Sequence, residues 1–127
     1  MVEEVEVAFQ RVKTTFRSGK TRDIKWRKQQ LNAMLKGLDE MKDELEQGLL
    51  EDLGRDKFVT ELCELGMLKG SVQWDLKNVD WMSADRPEQT ELIFQPGQAI
   101  IHYEPLGVCG IFGTWNYPYT VCFKPLI

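Results

Sequence analysis

Histidine and cysteine, the side chains most often recruited to bind metals and attack electrophiles, are scarce here. The chain has one histidine, His102, and three cysteines, Cys63, Cys109 and Cys122. A zinc site needs about four converging ligands, so no metal is expected. An odd number of cysteines without C-x-x-C spacing argues against a disulfide scaffold, and all three read as ordinary half-buried thiols. No stretch reaches the roughly 18 consecutive apolar residues of a membrane span. A basic surplus is missing too: the net charge is -4 and the isoelectric point about 5.1, which excludes a general nucleic-acid role. The first residues, MVEEVEVAFQ, are acidic where a signal or transit peptide is basic. The expected location is cytoplasmic, with membrane attachment left open because a missing C-terminus can redirect a chain.

What is present falls into two stretches of different character. Charge is dense up to Glu91, after which only Glu104 and Lys124 are formally charged. We divide the chain accordingly into a helical segment, 1–90, and a β-hairpin with the start of a second domain, 91–127. Val5, Phe9, Val12 and Phe16 lie on one helical face, and Ser18-Gly19 supplies a left-handed stop. A second helix, capped by Thr21 or Asp23, carries an apolar stripe from Ile24 through Leu31, Leu38, Leu45 and Leu49 to a stop at Gly54. A third follows the spacing of Phe58, Leu62, Leu65, Leu68, Val72, Leu76 and Val79, ending before MSADRPE. Gly66 and Gly70 each weaken it by about 1 kcal/mol relative to alanine.

SGKT at Ser18–Thr21 is not a phosphate loop. That motif needs a glycine where Thr14 stands, and a strand before it. A corner between two helices is the better reading.

From Leu92 the pattern turns to strands. LIF and AIIHY flank QPGQ, whose Pro-Gly pair suits a type II turn, so a hairpin is expected there. VCGIF, residues 108–112, is a short apolar run bounded by glycines, as in a parallel strand covered on both faces. Parallel neighbours require crossovers of about a dozen residues or more, and few residues follow. The sheet is therefore expected to be incomplete, and the chain to be a fragment or to be completed by other polypeptide.

Asn116 falls at the carboxyl end of that run, where open α/β sheets bind ligands. Two readings are open. Its amide NH2 can stabilise charge developing on a carbonyl oxygen, an interaction typically worth ~3 kcal/mol in the transition state. Alternatively it caps the helix that follows. Gly113 and Thr114 are small enough for a planar ring or pyrophosphate to approach. Trp115 and Tyr117 can line an apolar channel, and Pro118 sets the backbone into the next helix.

EPLGVCGIFGTWNYPYTVCFKPLI closely resembles the aldehyde dehydrogenase superfamily, in which a Trp-Asn-aromatic-Pro turn follows the first strand of the cofactor domain. FRSGKTRDIKWRKQQL resembles the N-terminal helices of its class 3 branch, which acts on fatty and aromatic aldehydes. The resemblance implies an α/β fold: N-terminal helices, a β-hairpin and the first strand of an incomplete Rossmann-like cofactor domain. It implies NAD or NADP as cofactor, an aldehyde as substrate and a homodimer when complete. A cysteine thiolate attacks the aldehyde, hydride passes to the cofactor, and a glutamate-activated water releases the carboxylate.

Carried over position by position, the resemblance makes Asn116 the oxyanion stabiliser. Gly113, Thr114 and Trp115 fall on the segment beside the nicotinamide, and Tyr117 on the substrate channel. The nucleophilic cysteine, the general-base glutamate and the ribose-holding lysine lie beyond Ile127 in this family. Cys122 aligns with an ordinary helix position. Gly110 departs from the pattern, standing where relatives carry a bulky apolar residue. The first reading is thus a portion of an aldehyde dehydrogenase, inactive by itself. The alternative is a non-catalytic interaction or oligomerisation module. A free-standing helical domain leaves the apolar terminus unexplained.

Overall fold

The computed structural model describes residues 2–127. Helix α1 spans Val2–Arg17 and stops at left-handed Gly19, after which a 3-10 turn covers Lys20–Arg22. Helix α2 spans Ile24–Glu40. Its N-cap is Asp23, whose carboxylate accepts from the Lys25 N–H at 2.8 Å, satisfying a donor that the first turn leaves orphaned. Helix α3 covers Lys42–Leu53 and ends at left-handed Gly54.

The single helix expected over Ile24–Leu53 is therefore two. Met41, at φ -97° and ψ 10°, leaves helical geometry, and its N–H and carbonyl serve α2 and α3 respectively. The apolar period continues across this break, so nothing in the spacing marks it. Leu38 before the break and Leu49 after it are both buried.

Asp56 caps the next helical stretch through the Phe58 N–H at 2.8 Å. This stretch comprises α4 (Lys57–Thr60), a π-helical turn (Glu61–Leu65) and α5 (Gly66–Ser83). A π turn holds one extra residue, which rotates everything N-terminal to it by about a third of a turn. Phe58 and Leu62, in phase with Leu65 by α-helical counting, consequently stand 73% and 61% exposed. Thr60 and Glu64 take the buried face instead. Gly66 is needed at this spot. Its N–H bonds the Glu61 carbonyl, and a Cβ on it would lie 2.9 Å from that oxygen.

The core forms where α2 crosses α5. Leu38, Leu65 and Leu68 make its centre, with Met34, Leu45, Tyr119, Phe123 and Ile127 packed around them. Lys28–Asp80 and Lys69–Asp39 tie α2 to α5, each joining a half-buried lysine to an exposed aspartate, a geometry in which the pair contributes little.

The hairpin exists but is built differently from the expectation. Strand β1 is Arg86–Glu88, and it pairs antiparallel with β2, Ala99–Ile101. LIF is not a strand: Leu92–Phe94 form a 3-10 turn inside the connection. Gln95–Pro96 is cis, and the Gly97 N–H bonds the Phe94 carbonyl at 2.7 Å, so the turn is type VI rather than type II.

The expected strand over 108–112 is also corrected. These residues are irregular and exposed, with Phe112 at 98% and Leu106 before them at 99%. A strand exists only by sharing a ladder with a neighbour, and none of the described residues pairs with this segment. The described residues are thus mainly helical, with one two-stranded antiparallel hairpin and no parallel sheet. No helix among them is long and apolar enough to cross a membrane.

His102 closes the hairpin. Its Nδ1 lies 2.5 Å from Asp85 Oδ1 and its Nε2 3.1 Å from Glu104 Oε1, while Glu104 also pairs with Arg22 at 2.9 Å. Only the doubly protonated ring donates to both carboxylates, and the Asp85 hydrogen bond, followed by that of Glu104, raises its pKa above 6.5. Folding favours the protonated form. The stabilisation is complete below the unfolded value and disappears as pH climbs through the raised folded value.

Two predictions follow from this packing. Leu68→Ala is expected to cost about 2–5 kcal/mol in urea unfolding, whereas Phe58→Ala stays within about 0.5 kcal/mol; equal losses would restore an unbroken α-helical register. An NMR titration of His102 is expected to show a midpoint above that of a free histidine, falling in Asp85→Asn; an unchanged midpoint would show that Asp85 does not hold the ring.

Candidate functional site

The sequence-predicted residues Gly113, Thr114, Trp115, Asn116 and Tyr117 form one continuous loop that leads into α6, Pro118–Phe123. Proline at the first helical position suits the entry, since its missing N–H would be orphaned anyway. Tyr117 occupies the N-cap position without a side-chain bond to the helix. The donor usually met by a cap, the Thr120 N–H, instead meets Glu64 Oε2 from the π turn at 2.9 Å.

This removes helix capping as the role of Asn116. Its Oδ1 accepts the Thr114 hydroxyl at 2.5 Å, and its Nδ2 has no acceptor among the described residues. The side chain is exposed. With its oxygen engaged by Thr114, the amide keeps its NH2 donors uncommitted. Trp115 is 77% exposed on the same loop.

Gly113 has a reason to be glycine that its neighbours in sequence do not reveal. A Cβ there would come 2.2 Å from Cys122 Sγ and 3.1 Å from Val121 Cγ2. The loop lies directly on α6, with the Cys122 thiol packed against its backbone.

Three residues that sequence reasoning missed hold this loop in place: Arg55, Glu64 and Thr120. Arg55 Nη1 pairs with Glu64 Oε1 at 2.5 Å, and its Nη2 donates to the Asn116 carbonyl. The guanidinium also lies over the Tyr117 ring, 4.5 Å from its centre. Glu64 is wholly buried and its carboxylate is satisfied on both oxygens. Removing one partner of such a pair costs roughly 3–5 kcal/mol, since the remaining charge is left in a low-dielectric interior. The available signal was a glutamate inside the apolar string LCELG, but its partners lie 9 and 56 residues away in sequence.

Beyond the turn, the Tyr119 hydroxyl donates to the Leu45 carbonyl at 3.0 Å. Burial, then the negative charges of Glu64 and Asp52, push its pKa above the usual 10.0. Tyr119 and Phe123 stack with centroids 6.4 Å apart and pack on the helical core.

The sequence matches the profile of the aldehyde dehydrogenase family over residues 1–127. The chain belongs to that family. It is 33% identical over 124 residues to the dimeric NADP-preferring aldehyde dehydrogenase of Canis lupus familiaris, covering 98% of this chain and 27% of that relative. Aldehyde dehydrogenase family 3 member F1 of Arabidopsis thaliana is 29% identical over the full 127 residues, again about a quarter of its own length (26%). A substrate-bound structure of Staphylococcus aureus AldH superposes with a TM-score of 0.94 at 29% identity, covering 96% of this chain and 27% of that one. The chain thus spans about a quarter of the length of these relatives and corresponds to the N-terminal portion of aldehyde dehydrogenases.

Because Gly113 touches Cys122 so closely, Gly113→Ala is expected to overpack the loop and cost about 1–3 kcal/mol. Adding Cys122→Ala removes the obstructing sulfur and should recover part of the loss. Strictly additive losses in chemical denaturation would show that the two residues do not touch.

Proposed function

We propose that this chain contributes the oxyanion-stabilising side of an NAD(P)-dependent aldehyde dehydrogenase active site, with Asn116 as donor. The supporting observation is the state of that amide: on an exposed residue, its oxygen is held by Thr114 while its NH2 has no acceptor among the described residues. When a nucleophile adds to an aldehyde, the carbonyl oxygen becomes an anion. A fixed amide N–H placed about 3 Å from that anion stabilises it more than the starting carbonyl. By holding the amide oxygen within the loop, the Thr114 hydroxyl keeps the amide from flipping to present its acceptor in place of its NH2. Tyr117 offers an aromatic edge to the aldehyde chain.

NAD(P) supplies the hydride acceptor when bound. The loop from Gly113 to Trp115 fits one edge of such a group, through an exposed hydroxyl and an exposed indole. The Gly113 backbone is covered by Cys122, so approach comes from the Thr114–Trp115 side. We assign 91–127 to the start of the cofactor domain, with 108–112 becoming a strand when other polypeptide supplies its neighbours. The nucleophile and general base also come from outside these residues. Cys122 is unsuited to attack, because its sulfur packs against the loop backbone. In this reading the complete protein is a homodimer.

The exposed apolar side chains of Leu106, Phe112 and Trp115 favour a second reading, in which the chain acts only as an interaction or oligomerisation module. One experiment separates the two. Residues 1–127 are exchanged for the matching quarter of the Canis lupus familiaris enzyme, and aldehyde-dependent NAD(P)H formation is followed. An active chimera whose kcat falls about 100- to 1,000-fold in Asn116→Ala is expected. A chimera indifferent to that change leaves only the interaction reading.

A further inference from the structure

Asn116 is useful as a donor only if the turn carrying it is held still, and the contacts that hold the turn come from another part of the chain. We propose that Arg55 is a positioning residue for Asn116, locked in place by the buried carboxylate of Glu64. The proposal rests on the reading of Asn116 given above.

The guanidinium grips two consecutive residues of the turn. Its Nη2 takes the Asn116 carbonyl, which fixes the peptide plane leaving that residue. Its flat face covers the ring of Tyr117. Glu64 supplies a third point by accepting the Thr120 N–H, which sets the first turn of α6. Three separate points of attachment fix the backbone of the turn and with it the Cα–Cβ direction of Asn116, from which the Thr114 hydroxyl then holds the amide.

Arg55 is itself well anchored. It follows left-handed Gly54 directly, and its own N–H bonds the Leu49 carbonyl at 3.2 Å, so its backbone is continuous with the end of α3. At the other end Nη1 meets Glu64. The planar fork reaches a carboxylate and a carbonyl together while stacking on a ring. A lysine ammonium is a point charge and cannot do all three.

The test is an NMR comparison of the full 127-residue chain with its Arg55→Lys and Glu64→Gln variants. The Asn116 side-chain NH2 signals are identified by their loss in Asn116→Asp. In Arg55→Lys these signals and the Tyr117 amide are expected to shift, while the methyl signals of Leu65, Leu68 and Val72 stay in place. In Glu64→Gln the Thr120 amide is expected to lose the downfield position of a charge-assisted hydrogen bond, and the Asn116 signals to shift as well. In the chimera, Arg55→Lys is expected to lower kcat by roughly tenfold to a hundredfold with KM little changed.

Asn116 signals that stay put in both folded variants overturn the proposal, whatever happens to stability. So does an unchanged kcat in the chimera. A chimera that tolerates Asn116→Ala defeats the functional reading instead. The proposal then falls with it, although the NMR shifts would still stand as a description of the turn.

Discussion

A single buried carboxylate organises the packing around the Trp-Asn-Tyr-Pro turn. Glu64 is fully enclosed, and an enclosed negative charge must be matched at both oxygens or expel itself from the core. One oxygen takes Arg55, the other the amide of Thr120. These two bonds join the end of α3, the π turn and the start of α6 at one point. The desolvation cost makes the arrangement close to all-or-none, since half of it would leave an unpaired charge inside.

The π turn is what makes this possible. A continuous α-helix through Phe58–Val79 would turn Phe58 and Leu62 inward along with Leu65. The extra residue at Glu61–Leu65 turns Thr60 and Glu64 inward instead, at the expense of two exposed apolar side chains. Two apolar side chains are thus left exposed while Thr60 and Glu64 are enclosed, and Glu64 meets the Trp-Asn-Tyr-Pro turn through Arg55 and Thr120. Proteins use π turns in this way at functional positions, because one inserted residue re-aims a side chain without ending the helix.

The same logic separates the anchored and unanchored parts of the second half. From Tyr117 onward the chain is fastened by Arg55, Glu64, the Leu45 carbonyl and the helical core. Just upstream, the apolar side chains of Leu106, Val108, Ile111 and Phe112 have no ladder beneath them, and they lie exposed. An apolar run of this composition is stable only when covered. In this structure the covering layer is not among the described residues.

Much of the architecture was legible from local rules. The start and stop of α1, the Asp23 cap, the Gly54 stop, the existence of a hairpin and the turn into α6 each depend on residues close together in sequence. The family turn was legible too, because its residue types are contiguous. The break at Met41, the phase of α4 and α5, the identity of the hairpin strands and the irregular state of 108–112 were decided by tertiary structure. Each depends on which face finds a partner, and partners lie tens of residues away. Asn116 could be singled out from its neighbours alone; that it does not cap α6 is visible only in the fold, where Glu64 accepts the Thr120 N–H from 56 residues away.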